Sequence, residues 1–341
     1  MYRLTLEGLT QLEKADWPAK EDKIVSCTTK GQSEADCHNF IKVLVSYRDK
    51  LFACGTHAFS PKCSWRDIEA INHVTRWIDG RGKCPFSPKA NSSAFMNDVG
   101  EYYIASSTDF SANDPAIYRM SGANLDQALL RSERYNSMWL SQPDFVLTFE
   151  TDHFVYFVFR ENAIEYVNCG KTIYSRIARV CKNDQGGQLV SKDNWTTFLK
   201  ARLNCSLPGD YPFYYNEIQS AYYVAAEGIV YATFTTPENS IAGSAVCSFD
   251  LKTIEETFKG SFKKQKSPDS TWEAVSDVDH SHFECQRSKD RDYLTPNSRE
   301  YQLLNQAVPS TPQGPVYKVS RRRRLLHENL RLSSWALKTT G

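Results

Sequence analysis

The sequence is short of the features that most readily name an enzyme. It contains no His-Glu-x-x-His, no Gly-x-Ser-x-Gly and no complete Gly-x-x-x-x-Gly-Lys-Ser/Thr loop, so the common metalloprotease, hydrolase and nucleotide signatures are missing. Its ten cysteines include no Cys-x-x-Cys pair, which argues against zinc-finger and thioredoxin-type sites. Forty-one basic side chains against forty acidic ones leave a net charge of +1, so no overall field draws the chain toward nucleic acid or inserts it into a membrane surface. No apolar run reaches the ~18 residues that would span a bilayer. Met1-Tyr2-Arg3-Leu4 opens inside a strand-like stretch, with no basic region and apolar core of a leader behind it.

What is present points to a globular chain in an oxidising compartment. The 341 residues, 41% apolar and 13% aromatic, suffice for one large β domain or two average ones. The cysteines are Cys27, Cys37, Cys54, Cys63, Cys84, Cys169, Cys181, Cys205, Cys247 and Cys285, an even count that fits an oxidised framework. Asn91, Asn194 and Asn204 each open an Asn-x-Ser/Thr sequon, which fits the same compartment. The chain is therefore read as extracellular. In "KLFACGTHAFSPKC" (50–63), Cys54 and Cys63 flank a strand end that turns a corner, and a metal clip, a redox pair and a disulfide staple all remain open for them.

An apolar-aromatic pair inside a short strand recurs as Leu51-Phe52, Tyr103-Ile104, Val155-Tyr156 and Val230-Tyr231, at intervals of 52, 52 and 75 residues. Such a period, several strands long, predicts an all-β fold of the β-propeller type. "DNWTTFLKARLNCSLPG" (193–209) and "DLKTIEETFKGSF" (250–262) are the two helical candidates, the second with Leu251, Ile254 and Phe258 at helical spacing. Residues 286–341, with three prolines between 309 and 315 and arginines at 321 to 324, read as a poorly ordered linker and basic tail. The arginine run suits a furin-type cleavage signal, a nuclear signal or a solvated charge run, and the last is preferred.

Two motifs invite chemistry. "DVDHSH" (277–282) sets Asp277, Asp279, His280 and His282 within one short run, but strand alternation would separate acids from imidazoles, so a solvated loop is the better reading than a metal site. "SPDSTW" (267–272) is close to the Ser-x-Asp-x-Gly-x-Thr-Trp box of sialidase propellers, one residue short and without its glycine. Such boxes mark turns rather than catalytic groups, so a propeller sialidase is a distant alternative.

"DCHNFIKVL" (36–44), "LFACGTHAFSPKC" (51–63), "GRGKCPFSP" (80–88), "YFVFRENAIEY" (156–166), "RIARVCKNDQGG" (176–187), "WTTFLKARLNCS" (195–206) and "GSAVC" (243–247) together resemble the sema domain of semaphorins, and "NCSLPGDYPFYYNEIQSAYYV" looks most like class 5. The resemblance implies a sema-type seven-bladed β-propeller of which about four blades lie in 1–285, with the chain a fragment of a secreted or membrane-anchored ectodomain. It implies no catalysis and no cofactor. It also implies a guidance ligand that binds plexin-type receptors, steers axons and migrating cells, and works as a homodimer when the domain is complete. A sema-fold receptor ectodomain of the plexin kind is the alternative. The resemblance further implies the pairs Cys27–Cys37, Cys54–Cys63, Cys181–Cys285, Cys205–Cys247 and Cys84–Cys169. Receptor-contact residues are not named by it.

Overall fold

The apolar-aromatic pairs that echo along the sequence become the second strand of four separate sheets. The computed structural model describes residues 1–188, 191–267, 269–285 and 300–319. Its contacts divide at Tyr135 and Asn136 into two compact units.

In the first unit, β1 (Tyr2–Leu4) and β2 (Gln11–Lys14) form a hairpin, followed by helix α1 (Glu21–Thr29). The strands β3 (Ile41–Tyr47), β4 (Lys50–Gly55), β5 (Lys62–Asp67) and β6 (Val74–Asp79) then make one antiparallel meander. A second meander follows in β7 (Ser93–Met96), β8 (Tyr102–Ser107), β9 (Pro115–Ser121) and β10 (Gln127–Arg131). Strands β4 and β8 read as near-continuous apolar runs because both of their faces are covered. Phe52, Ala53, Tyr102, Tyr103, Ile104 and Ala105 are wholly buried. Phe52 meets Tyr102 edge-on at 5.2 Å between ring centroids, a geometry that aromatic quadrupoles favour.

The second unit repeats the pattern. Strands β11 (Asp144–Glu150), β12 (Phe154–Asn162), β13 (Ile173–Cys181) and β14 (Leu199–Asn204) form a meander. A two-strand ribbon, β15 (Ser206–Leu207) with β16 (Phe213–Tyr214), leads to β17 (Glu217–Val224), β18 (Ile229–Thr235) and β19 (Ser244–Asp250). Helix α2 (Leu251–Thr257), strands β20 (Phe262–Gln265) and β21 (Trp272–Val275), and the late strands β22 (Leu303–Pro309) and β23 (Tyr317–Val319) complete it. Phe149 stacks on Tyr156 at 5.0 Å and on Tyr223 at 4.2 Å, which ties the first sheet of this unit to the second.

Of the two helical candidates, 250–262 contains α2, whose Asp250 Oδ1 accepts hydrogen bonds from the amides of Lys252 and Thr253 at its N-terminus. The other, 193–209, is not helical and holds β14 and β15. Its residues from Trp195 to Ala201 are all buried, and a segment covered on every side does not keep the one-sided stripe of a surface helix. Residues 300–319 fall inside the stretch read as a linker and tail, and there the structure differs. Strand β22 runs parallel to β14 and also pairs with β20, and β23 pairs with β19. Leu303, Leu304 and Val308 are buried, so a short apolar segment overrides the polar and proline-rich composition around it. Residues 286–299 and 320–341, with the arginine run, lie outside the described residues.

Candidate binding scaffold

Cys54 and Cys63 stand directly opposite each other across the β4–β5 ladder with Cα atoms 4.1 Å apart, and they are bonded. The structure thus selects the disulfide among the three readings of this pair. Between them the chain turns through His57, Ala58 and Phe59, three successive non-glycine residues in the left-handed region at φ 44°, 57° and 53°. Each such residue costs roughly 1–2 kcal/mol, so other contacts must hold the corner. Asn39 supplies two of them, accepting from the His57 amide at 2.9 Å and donating to the Trp17 carbonyl at 2.8 Å. Thr56 accepts from the Phe40 amide at 3.1 Å, and the Ala58 amide donates to the His38 carbonyl at 3.0 Å. Gly55 leaves the space for this, because a Cβ there would lie 2.1 Å from Asn39 Oδ1.

Three further bridges match the expected pairs. Cys27 of α1 joins Cys37, Cys181 at the end of β13 joins Cys285, and Cys205 joins Cys247 of β19 across the sheets of the second unit. The fifth expected pair is not formed, since Cys84 and Cys169 are both free thiols. Cys84 is sealed in the core of the first unit, where burial pushes its thiol well above the usual range, whereas Cys169 sits exposed in a 3₁₀ turn of the second unit. Asn91, in a loop, and Asn194, at a single β-bridge, are half-exposed, as is Asn204. Asn204 ends β14 opposite Pro309, and its Oδ1 is buried.

The second unit contains a charge cluster that sequence reading did not single out. Glu161 Oε1 receives Arg176 Nε at 3.0 Å and Lys200 Nζ at 2.6 Å, with all three side chains out of solvent. Glu161 Oε2 accepts from the Ser141 amide, Lys200 also donates to the Trp139 carbonyl at 2.8 Å, and Arg176 reaches Glu165 at 2.6 Å. Burial alone would raise the Glu165 carboxyl, but the charge and hydrogen bond of Arg176 outweigh it and hold the group below its ordinary value. The signal for this cluster is visible in retrospect, as two charged residues on each of three mainly apolar strands, in "YFVFRENAIEY", "RIARVC" and "TTFLKARL".

A sialidase would need an open arginine group facing a tyrosine. Arg176 and Arg202 do lie over the Tyr174 ring, at 5.5 and 3.8 Å, but Arg176 is wholly buried and engaged by two carboxylates. Within "SPDSTW", between β20 and β21, the Ser267 amide donates to Ser270 Oγ at 2.9 Å. In "DVDHSH", Asp279 caps the Ser281 amide, His280 stacks on Phe262 at 4.6 Å, and His282 Nε2 meets the Thr196 carbonyl at 3.1 Å. These side chains are engaged in packing and turn closure. Among the described residues no group of three or more His, Cys, Asp or Glu is placed to hold a metal ion, and no helix is long and apolar enough to cross a membrane.

Residues 218–328 match the family model of the Sema domain. The chain is 48% identical to Semaphorin 5c of Drosophila melanogaster over 320 residues, 93% of this chain and 29% of that protein. It is 47% identical to Semaphorin-5B of Mus musculus over 272 residues, 80% of this chain and 24% of that protein. Among solved structures it resembles Drosophila Semaphorin 1b, extracellular domains 1-2, with a TM-score of 0.82 at 37% identity over 94% of this chain and 63% of that one. It also resembles a chain of Drosophila Plexin A in complex with Semaphorin 1b, with a TM-score of 0.81 at 37% identity over 93% of this chain and 62% of that one. The chain therefore spans less than a third of these curated relatives, and its sheets are blades of a sema-type propeller.

Proposed function

The chain belongs to the semaphorin family, most like its class 5, and on that premise we propose that it is propeller sequence of an extracellular guidance ligand that engages a plexin-type receptor. It acts by binding and not by catalysis, steering axons and migrating cells through a repulsive response. The observation that carries this reading is the likeness at 37% identity to a solved complex of Plexin A with Semaphorin 1b. Four bridges and the buried Glu161–Arg176–Lys200 cluster suit a ligand of this kind, because a rigid scaffold lowers the ordering cost of presenting loops to a receptor. The bridges and sequons also support a secretory route. Homodimerisation of the whole protein would add avidity through two simultaneous contacts.

A semaphorin-type ligand is favoured over a plexin-like receptor ectodomain by its 46 to 48% identity to class 5 semaphorins. The test is staining of cells that each display one plexin ectodomain with the secreted chain fused to a dimerising tag. Saturable staining of at least one plexin line over untransfected cells is expected. Folded, bridged material that stains none of them would overturn the proposal.

A further inference from the structure

Arg176 and Arg202 stand directly opposite each other in the register of β13 and β14. Like charges at such a position repel, so two guanidinium groups kept there require compensation. Arg176 has it in part. Its Nε meets Glu161 at 3.0 Å and its Nη2 meets Glu165 at 2.6 Å, whereas Nη1 is buried without a hydrogen bond to any described residue. Arg202 has no carboxylate partner among the described residues. Its Nη2 donates to Asn216 Oδ1 at 3.1 Å, and its Nε is buried without an acceptor.

The aromatic rings around the pair hold the cations in place without cancelling their charge. Arg202 lies 3.8 Å from the Tyr174 centroid and 5.0 Å from that of Tyr214, and Arg176 lies 5.5 Å from the same Tyr174 ring. One ring thus serves both guanidinium groups. Lys200 shares Glu161 with Arg176, so the cluster sets Arg176, Lys200 and Arg202 against Glu161 and Glu165 and carries one surplus positive charge. Burial holds the Lys200 ammonium below its ordinary value, against the pull of Glu161 and with the help of Arg176. Burial and the Arg176 charge lower Arg202 as well. Both are the shifts of cations short of counter-charge.

A water molecule would satisfy a free N–H and leave the surplus charge, whereas a monovalent anion answers both. The anion has to be small, because the Arg176 side chain is wholly out of solvent. We propose that Arg176 Nη1 and Arg202 Nε together hold one chloride ion. Bound there, it would tie β13 and β14 to the segment that follows them, since Arg202 also contacts Tyr214 of β16 and Asn216 beyond it. The site needs no receptor, so it stands or falls apart from the functional reading above.

The full secreted chain is crystallised from sodium bromide, and its thermal unfolding is followed in sodium chloride and in sodium gluconate at equal ionic strength. Bromide is expected as an anomalous peak in contact with both Arg176 Nη1 and Arg202 Nε. Chloride is expected to raise the melting temperature by about 2 °C or more over gluconate, because an ion bound only by the folded chain stabilises it. Arg202→Met removes the surplus charge and is expected to lose that difference. Lys264→Met, at an exposed pair with Glu300, is expected to keep it. The proposal is overturned if the peak is absent, or if a water molecule or a carboxylate of the chain occupies its place. Equal melting of the parent in the two salts also overturns it, since the bromide would then be an adventitious ion only. Loss of the difference in Lys264→Met, or its persistence in folded Arg202→Met, does the same. The parent's peak and salt response decide the question even where Arg202→Met does not fold.

Discussion

Lys200 Nζ lies 2.6 Å from Glu161 Oε1 and both side chains are completely buried, with Arg176 Nε on the same oxygen at 3.0 Å. One carboxylate thus serves two buried cations. Replacing Glu161 by Gln leaves both partly unpaired and out of solvent, and loss of one member of a buried pair costs about 3–5 kcal/mol. Lys200→Met keeps the Glu161–Arg176 pair and places an apolar chain in the same space, so it is expected to cost less than half as much. Urea unfolding of the two variants checks this, and equal stabilities would contradict it.

Acid should loosen the same unit. Glu165, 2.6 Å from Arg176, has its carboxyl held below the ordinary value of 4.5. A group lowered on folding contributes stability that is present above its unfolded value and lost as pH falls through the folded one. The Glu165 contribution is therefore expected to be flat from about pH 7 to 5 and to fall below about pH 4.5, with Glu165→Gln less stable at neutral pH and showing a shallower acid limb below that value. Melting temperature against pH reads both. An acid limb that is identical in the variant would show that other carboxylates carry it.

The corner offers two opposite substitutions four residues or fewer apart. Gly55→Ala drives a Cβ to 2.1 Å from Asn39 Oδ1, whose bond to the His57 amide must then break, and a loss of at least about 2 kcal/mol is expected. Ala58→Gly removes a buried methyl but relieves a left-handed alanine at φ 57°, so its change should stay within about 1 kcal/mol. Thermal unfolding of both variants distinguishes them, and a harmless Gly55→Ala would contradict the packing described for Asn39.

Non-reducing peptide mapping of secreted protein is expected to recover the Cys27–Cys37, Cys54–Cys63, Cys181–Cys285 and Cys205–Cys247 crosslinks. Cys181–Cys285 spans 104 positions and Cys54–Cys63 spans nine. On the chain-entropy account their loss should therefore cost about 4.7 and roughly 2–3 kcal/mol. In the same digests, glycans are expected on the half-exposed Asn91 and Asn194. Unmodified Asn91 and Asn194 in secreted protein would contradict that exposure.

Much of the fold was legible because it rests on period and composition. Leu51, Tyr103, Val155 and Val230 each fall in the second strand of a meander; in β4, β8 and β12 that strand is a near-continuous apolar run because both of its faces are covered, whereas β18 alternates buried and exposed residues. Asp250 before an apolar stripe likewise announces α2. Helix α1 went unmarked, because "EDKIVSCTT" buries only Cys27 and so has almost no apolar face to read. Strand β14 reads as a helix because burial on all sides erases alternation, and β22 is hidden because its partners β14 and β20 are distant in sequence. The buried charges can be seen strand by strand in the sequence, but not that they meet. Glu161, Arg176 and Lys200 lie on three strands, and only the register of β12, β13 and β14 brings them together.

The semaphorin-ligand reading meets its most direct test in a chimera where residues 1–285 replace the matching stretch of Semaphorin-5A, whose human form is 46% identical over 285 residues. Binding of the secreted chimera to a panel of immobilised plexin ectodomains is measured beside that of the parent. The expected result is saturable binding to the same plexin as the parent, within ten-fold in affinity, together with growth-cone collapse. A chimera with intact bridges and a normal melting profile that binds no plexin and leaves growth cones unaffected would contradict the reading.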